Sequence, residues 1–128
     1  MKFRITGDQG LFTDDNKFLD IAPDDQSMVL DTEKGLVVIL GCCHSGIINT
    51  LDHIQRGLGR HDIYAVIGGT HLGFCSQNQL DRTVSEISKK GISRLAVSHC
   101  TGFLASTRLF MKMPKEFQLA MVGYTMEV

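Results

Sequence analysis

Apolar positions along the chain gather into short runs. Leu36 to Leu40 reads LVVIL, Tyr64 to Ile67 reads YAVI, and Arg94 to Val97 reads RLAV. Runs of this length, rich in β-branched residues and without polar alternation, are the pattern of strands covered on both faces. Ser27 to Asp31 (SMVLD) is a further strand candidate, and Glu33-Lys34-Gly35 supplies the turn that would make it a hairpin with Leu36 to Leu40. Between the runs the period changes. Ile47, Ile48, Leu51 and Ile54 fall on one helical face, with Ser45 placed to cap that helix and Gly57 to end it. Leu80, Val84 and Ile87 recur at i, i+4 and i+7 after Ser76 as cap, with Gly91 as the stop. Thr101-Gly102 opens a third helix from about Phe103 to Met111, and Pro114 ends that stretch. Phe117 to Val122 and Tyr124 to Val128 are the last strand candidates, around Gly123. The first 25 or so residues hold turn formers such as Gly7, Gly10, Asp14, Asn16 and Pro23, and read as a loop-rich arm. The order β-β-α-β-α-β-α-β predicts one layered α/β domain over residues 1–128, made of the arm (1–25) and an α/β unit (26–128).

Composition narrows the class of function. The chain has 128 residues, 43% hydrophobic and 21% charged, with 13 Lys+Arg against 14 Asp+Glu and a net charge of −1. That profile is globular, and the charge balance argues against nucleic acid as the partner, because phosphate neutralisation calls for an excess of Lys and Arg. No apolar run reaches the ~20 residues that span a bilayer, and MKFRITGDQG has no apolar signal region, so no membrane association and a cytoplasmic location are expected. Cys42, Cys43, Cys75 and Cys100 form no CxxC pair and read as reduced thiols.

The chemistry lies in three turns. Each of three apolar strands stops and is followed by a turn of small residues that contains a histidine: Gly41-Cys42-Cys43-His44, Gly68-Gly69-Thr70-His71 and Ser98-His99. The histidines are 27 and 28 residues apart, one βα unit each. In open α/β sheets ligands gather outside the carboxyl ends of the strands. Three adjacent parallel strands would therefore bring His44, His71 and His99 to one edge, as a zinc or iron site requires. A single histidine in such a turn is more often a hydrogen-bonding residue, and it is the repetition that favours ligation. The small residues beside them, Ser45, Gly69 and Thr101, would let backbone approach an ion, phosphate or substrate. His53 and His61 lack this setting and read as surface residues. Cys42, Cys43 and Cys100 are expected to pack as small hydrophobes, with a thiolate contribution to metal less favoured. Asp24-Asp25 reads as a solvated turn.

PDDQSMVLDTEKGLVVILGCCHSGIINTLDHI, then AVIGGTHL, then SHCTG, together resemble the metallo-β-lactamase fold superfamily. They are most similar to its branch of dihydropterin–ribofuranosylaminobenzene 5′-phosphate synthase-like proteins. GCCHSGIINT is the most specific piece, and the resemblance runs from about Pro23 to Gly123. It implies a mixed sheet with helices on one face, half of an αβ/βα sandwich, with metal bound at the edge between two halves. It implies that His44 and His99 are metal ligands and that His71 lies near a position where many members place a bridging aspartate. The superfamily's other ligands come from a His-x-His-x-Asp-His motif, and this sequence contains none. The chain thus resembles the C-terminal half of the fold.

Two functions compete on these grounds. One is a metal-dependent hydrolase, using zinc first, with iron or manganese as alternatives, on a small phosphoester or acyl substrate, its remaining ligands supplied by another chain or region. The other is a non-catalytic metal-binding or protein-interaction half-domain. A lone half would expose one apolar sheet face, so a homodimer or a complementary N-terminal half is the expected partner.

Overall fold

The computed structural model describes residues 23–128. The loop-rich arm expected over the first 25 residues lies almost wholly outside the described residues. Each apolar run becomes a strand: β1 (Ser27–Thr32), β2 (Gly35–Leu40), β3 (Ile63–Gly68), β4 (Arg94–Val97) and β5 (Phe117–Leu119). They form one sheet in the order β1-β2-β3-β4-β5. The hairpin β1–β2 is antiparallel and every later pairing is parallel. The helices α1 (Ile47–Leu58), α2 (Gln77–Ser88) and α3 (Phe103–Lys112) connect the parallel strands in turn. A sheet whose parallel strands follow chain order, joined by right-handed crossovers, carries all its helices on one face.

The register shows which side chains meet the helices. Val38, Val66 and Leu95 are level with one another across β2, β3 and β4. They pack with Ile47, Ile48 and Leu51 of α1, Leu80, Val84 and Ile87 of α2, and Ala105 and Leu109 of α3. Ion pairs fasten neighbouring helices at their rims: Arg108 of α3 to Asp81 of α2 at 3.0 Å, and Lys90, just beyond α2, to Asp52 of α1 at 2.6 Å. The opposite face carries Met28, Leu30, Val37, Ile39, Ala65, Ile67 and Ala96 by alternation. Met28, Leu30 and Ile39 are exposed there. Towards the β5 edge the C-terminal segment crosses this face. The Tyr124 hydroxyl donates to Gln118 Oε1, and Arg94 Nη1 donates to the Glu127 carbonyl at 3.2 Å.

Helix ends depart from the sequence reading in two places. Ser45 makes no cap. Gly46, at φ 89°, occupies the N-cap position of α1 with no side-chain hydrogen bond. The helix runs past Gly57 to Gly59, whose left-handed conformation (φ 63°) ends it. Ser76 does cap α2, its hydroxyl accepting from Gln79 N at 3.3 Å. The strand expected over Tyr124 to Val128 does not form. Gly123 turns the chain at φ 89°, and Tyr124 N donates to the Met121 carbonyl instead of to β5. No helix among the described residues is long and apolar enough to cross a membrane.

Candidate metal centre at the strand ends

The turn after β2 is built by a residue far back in sequence. Asp25 is half-buried, and its carboxylate accepts from Cys43 N and Ser45 N, both at 3.1 Å. The pair Asp24-Asp25 is therefore not simply a solvated turn. Asp25 staples the chain entering β1 to the turn leaving β2 because those amides have no sheet partner. Within the turn Cys43 adopts φ 62°, a left-handed conformation uncommon outside glycine. Its thiol is fully buried, lies 3.4 Å from Thr50 Oγ1, and is pushed up to about 12, burial outweighing the opposing hydrogen bond.

The turn after β3 fits against both neighbours only because it is glycine-rich. A Cβ on Gly68 (φ 131°) would lie 2.2 Å from the Leu40 carbonyl oxygen. A Cβ on Gly69 would lie 2.6 Å from the Gly41 oxygen, 2.7 Å from Cys100 Sγ and 2.7 Å from His99 Cε1. Backbone hydrogen bonds extend the ladder through these turns, Gly69 N to Gly41 O and Ser98 N to Gly68 O, both at 2.9 Å. His71 follows in the left-handed region (φ 54°). Its ring is buried, edge-on to His44 at 4.3 Å between centroids and stacked on Phe74 at 4.6 Å.

The third turn closes the site. His99 Nε2 lies 3.0 Å from Cys42 Sγ, and Ser98 Oγ lies 3.1 Å from His99 Nδ1. Cys100 Sγ accepts from His71 N at 3.2 Å and donates to the Cys42 carbonyl at 3.4 Å. Burial pushes the Cys100 thiol up. Thr101 is buried, and its hydroxyl accepts from the Thr70 hydroxyl at 2.9 Å.

All three histidines singled out by sequence thus sit at adjacent strand ends. His44 and His71 touch each other, while His99 sits against Cys42 and Cys100. Ser45 binds Asp25 through its backbone, Gly69 lies beneath Cys100 and His99, and Thr101 braces Thr70. His53 and His61 are exposed, and Cys75 donates to the Leu72 carbonyl. All four cysteines are free.

Among the described residues, Cys42, His99 and Cys100 form the group whose donor atoms, one from each residue, all lie within 4.8 Å of one another. Donors sharing a tetrahedral zinc at ~2.0–2.3 Å stand roughly 3–4 Å apart. The residues present therefore fit a metal ion held through three protein donors. The sequence favours a packing role for the two thiols because no tetrahedral Cys/His ligand spacing recurs in it. The adjacency of cysteine and histidine in both turns was the available signal.

A cleft of about 490 Å³ opens beside His99, between α3 and β5. Its walls include Phe103, Phe110, Phe117, Leu119 and Met121, and among the described residues no Lys, Arg, Asp or Glu lines it.

No protein-family model matches the chain. Comparison with solved structures gives a different result. The fold superposes, with a TM-score of 0.75 and 32% identity, on the crystal structure of Tm1679, a metal-dependent hydrolase of the β-lactamase superfamily. The chain belongs to the metallo-β-lactamase superfamily. Within it, the chain is 31% identical over 105 residues to 7,8-dihydropterin-6-methyl-4-(beta-D-ribofuranosyl)-aminobenzene-5′-phosphate synthase of Methanocaldococcus jannaschii. It is also 40% identical over 73 residues to the uncharacterized protein MJ0448 of the same organism. These matches take in 82% and 57% of this chain but only 36% and 27% of those proteins, and the Tm1679 match takes in 80% of this chain and 40% of that one. The chain of this superfamily member therefore spans less than half the length of each of these relatives.

Proposed function

We propose that this chain supplies one half of a metal-dependent hydrolytic centre. The reading rests on one observation: three turns, each bearing a histidine and two of them cysteine, stand side by side at the carboxyl ends of three parallel strands, with Cys42, His99 and Cys100 donors close enough to share an ion. His44, His71 and His99 are the imidazoles available to it. A bound divalent ion, zinc first with iron or manganese as alternatives, supplies an acidified water and polarises a phosphoester or acyl group. The chain's own residues do the positioning. Asp25 holds the first turn, Gly69 lets the second approach the third, and Ser98 orients the His99 ring. The cleft beside His99 suits an uncharged, apolar portion of a small-molecule substrate, and of the three small residues expected to meet substrate only Ser45 is part-exposed, Gly69 and Thr101 being buried. The remaining ligands come from another chain or region, since this sequence has no His-x-His-x-Asp-His motif. The exposed Met28, Leu30 and Ile39 suit a covering partner, either a second copy or a complementary half.

The absent motif and the exposed Met28, Leu30 and Ile39 favour one alternative, a non-catalytic metal-binding or protein-interaction half-domain. Metal analysis of purified protein, with hydrolysis assayed before and after addition of a complementary N-terminal half, separates the two. The hydrolytic reading expects bound metal, and activity that needs the complement and is lost in His44→Ala. Metal retained without activity under either condition supports the alternative, and metal-free protein indifferent to His44→Ala overturns the hydrolytic reading.

A further inference from the structure

We propose that the chain binds one thiophilic divalent ion by itself through Cys42 Sγ, His99 Nε2 and Cys100 Sγ. This rests on the reading that the strand-end turns hold metal, and it names a donor set of two thiolates and one imidazole in place of imidazoles alone. Four features of the structure converge on it. The three donor atoms already lie within 4.8 Å of one another, with Cys42 Sγ and His99 Nε2 at 3.0 Å. Ser98 Oγ engages His99 Nδ1, and a bond to that nitrogen fixes a ligating imidazole and presents Nε2. The His71 amide donates to Cys100 Sγ, a contact that a metal-bound thiolate retains and strengthens. Gly69 leaves the space that any side chain would take from Cys100 and His99.

The remaining thiols are excluded by their surroundings. Cys43 is buried against Thr50, and Cys75 is turned to the Leu72 carbonyl. On ligation Cys42 and Cys100 each release one proton to solvent. Two thiolates then balance the charge of a divalent ion, and neutral His99 donates its lone pair. Thiolate donors select zinc and cadmium over magnesium and manganese. Three protein ligands leave a fourth position open, as in catalytic zinc sites.

The test is a cobalt(II) titration of the reduced, metal-free chain, followed by absorption. The expected result is a near-ultraviolet thiolate-to-cobalt charge-transfer band that saturates at one ion per chain and is reversed by zinc. Cys42→Ser and Cys100→Ser each diminish the band and weaken binding beyond the ~10–100-fold that outer-shell changes cost. Cys75→Ser leaves both unchanged. Cadmium-113 NMR of the unaltered chain reports sulfur ligation without any substitution, so a variant that fails to fold does not decide the matter. Cobalt bound without a charge-transfer band, and lost in His44→Ala, overturns this donor set while preserving the metal reading. A chain that takes up no cobalt, alone or with a complementary half, overturns both.

Discussion

Gly69→Ala is a sharp test of how the strand ends fit together. The added methyl would enter a space where three atoms already stand 2.6–2.7 Å from the ideal Cβ position. One of them, the Gly41 carbonyl oxygen, is backbone and is itself held by Gly69 N at 2.9 Å, so it cannot rotate away. The other two belong to Cys100 and His99, which must move instead. Overpacking of this kind costs about 1–3 kcal/mol, and the fixed carbonyl places this site at about 2–3 kcal/mol. For a chain of this size that corresponds to a melting temperature roughly 8–12 °C lower. Gly57→Ala is the matched control. Gly57 lies inside α1, and a Cβ there meets nothing within 4 Å, so the same substitution should stabilise by about 0.5–1 kcal/mol. Urea and thermal unfolding followed by circular dichroism measure both. Cobalt titration of Gly69→Ala should show affinity weakened ~10-fold or more, since two proposed ligands are displaced. A Gly69→Ala protein within ~0.5 kcal/mol of the parent and equal to it in metal affinity would refute the packing argument.

Three further outcomes follow from the same geometry. Asp25→Ala removes the acceptor of two backbone amides and should cost about 1–3 kcal/mol, with Asp25→Asn intermediate. Hydrogen exchange should show Cys43 and Ser45 amides losing protection, and unchanged protection would count against the staple. In the folded protein at neutral pH, Cys43 should resist iodoacetamide while the more accessible Cys42 reacts, because burial pushes the Cys43 thiol up to about 12. Mass spectrometry of labelled peptides reads this directly. The Arg60 hydrogen bonds hold the exposed Asp62 carboxyl down to about 2, from an ordinary value of 3.8. Because the folded value is the lower one, any stabilisation from the pair is present above about 3.8 and fades as pH falls towards 2. Carboxyl NMR titration of Arg60→Ala should return Asp62 to the ordinary range.

Much of the fold was legible because its strands are encoded locally. LVVIL, YAVI and RLAV needed only composition to be recognised, and Ser76 capped α2 where the pattern placed it. What failed locally was decided by distant contacts. Ser45 was displaced as a cap by Gly46 and by Asp25, twenty positions earlier. The last strand was lost to a nearer cause, the turn at Gly123 that sends Tyr124 N to the Met121 carbonyl. In the site, the histidines were legible from their repeated place after apolar runs. The roles of Cys42 and Cys100 were not, because their meeting depends on Gly69 letting two turns close over a third. Spacing along the chain carries no trace of that approach.

His99 belongs to both ligand sets proposed for these strand ends. The most direct measurement is therefore the metal content of the purified chain and its His99→Ala variant by plasma mass spectrometry, after equilibration with zinc and removal of free ion. One zinc per chain is expected in the parent and its loss in the variant, with circular dichroism unchanged. A folded parent that retains no zinc, or a variant that retains all of it, would contradict the account.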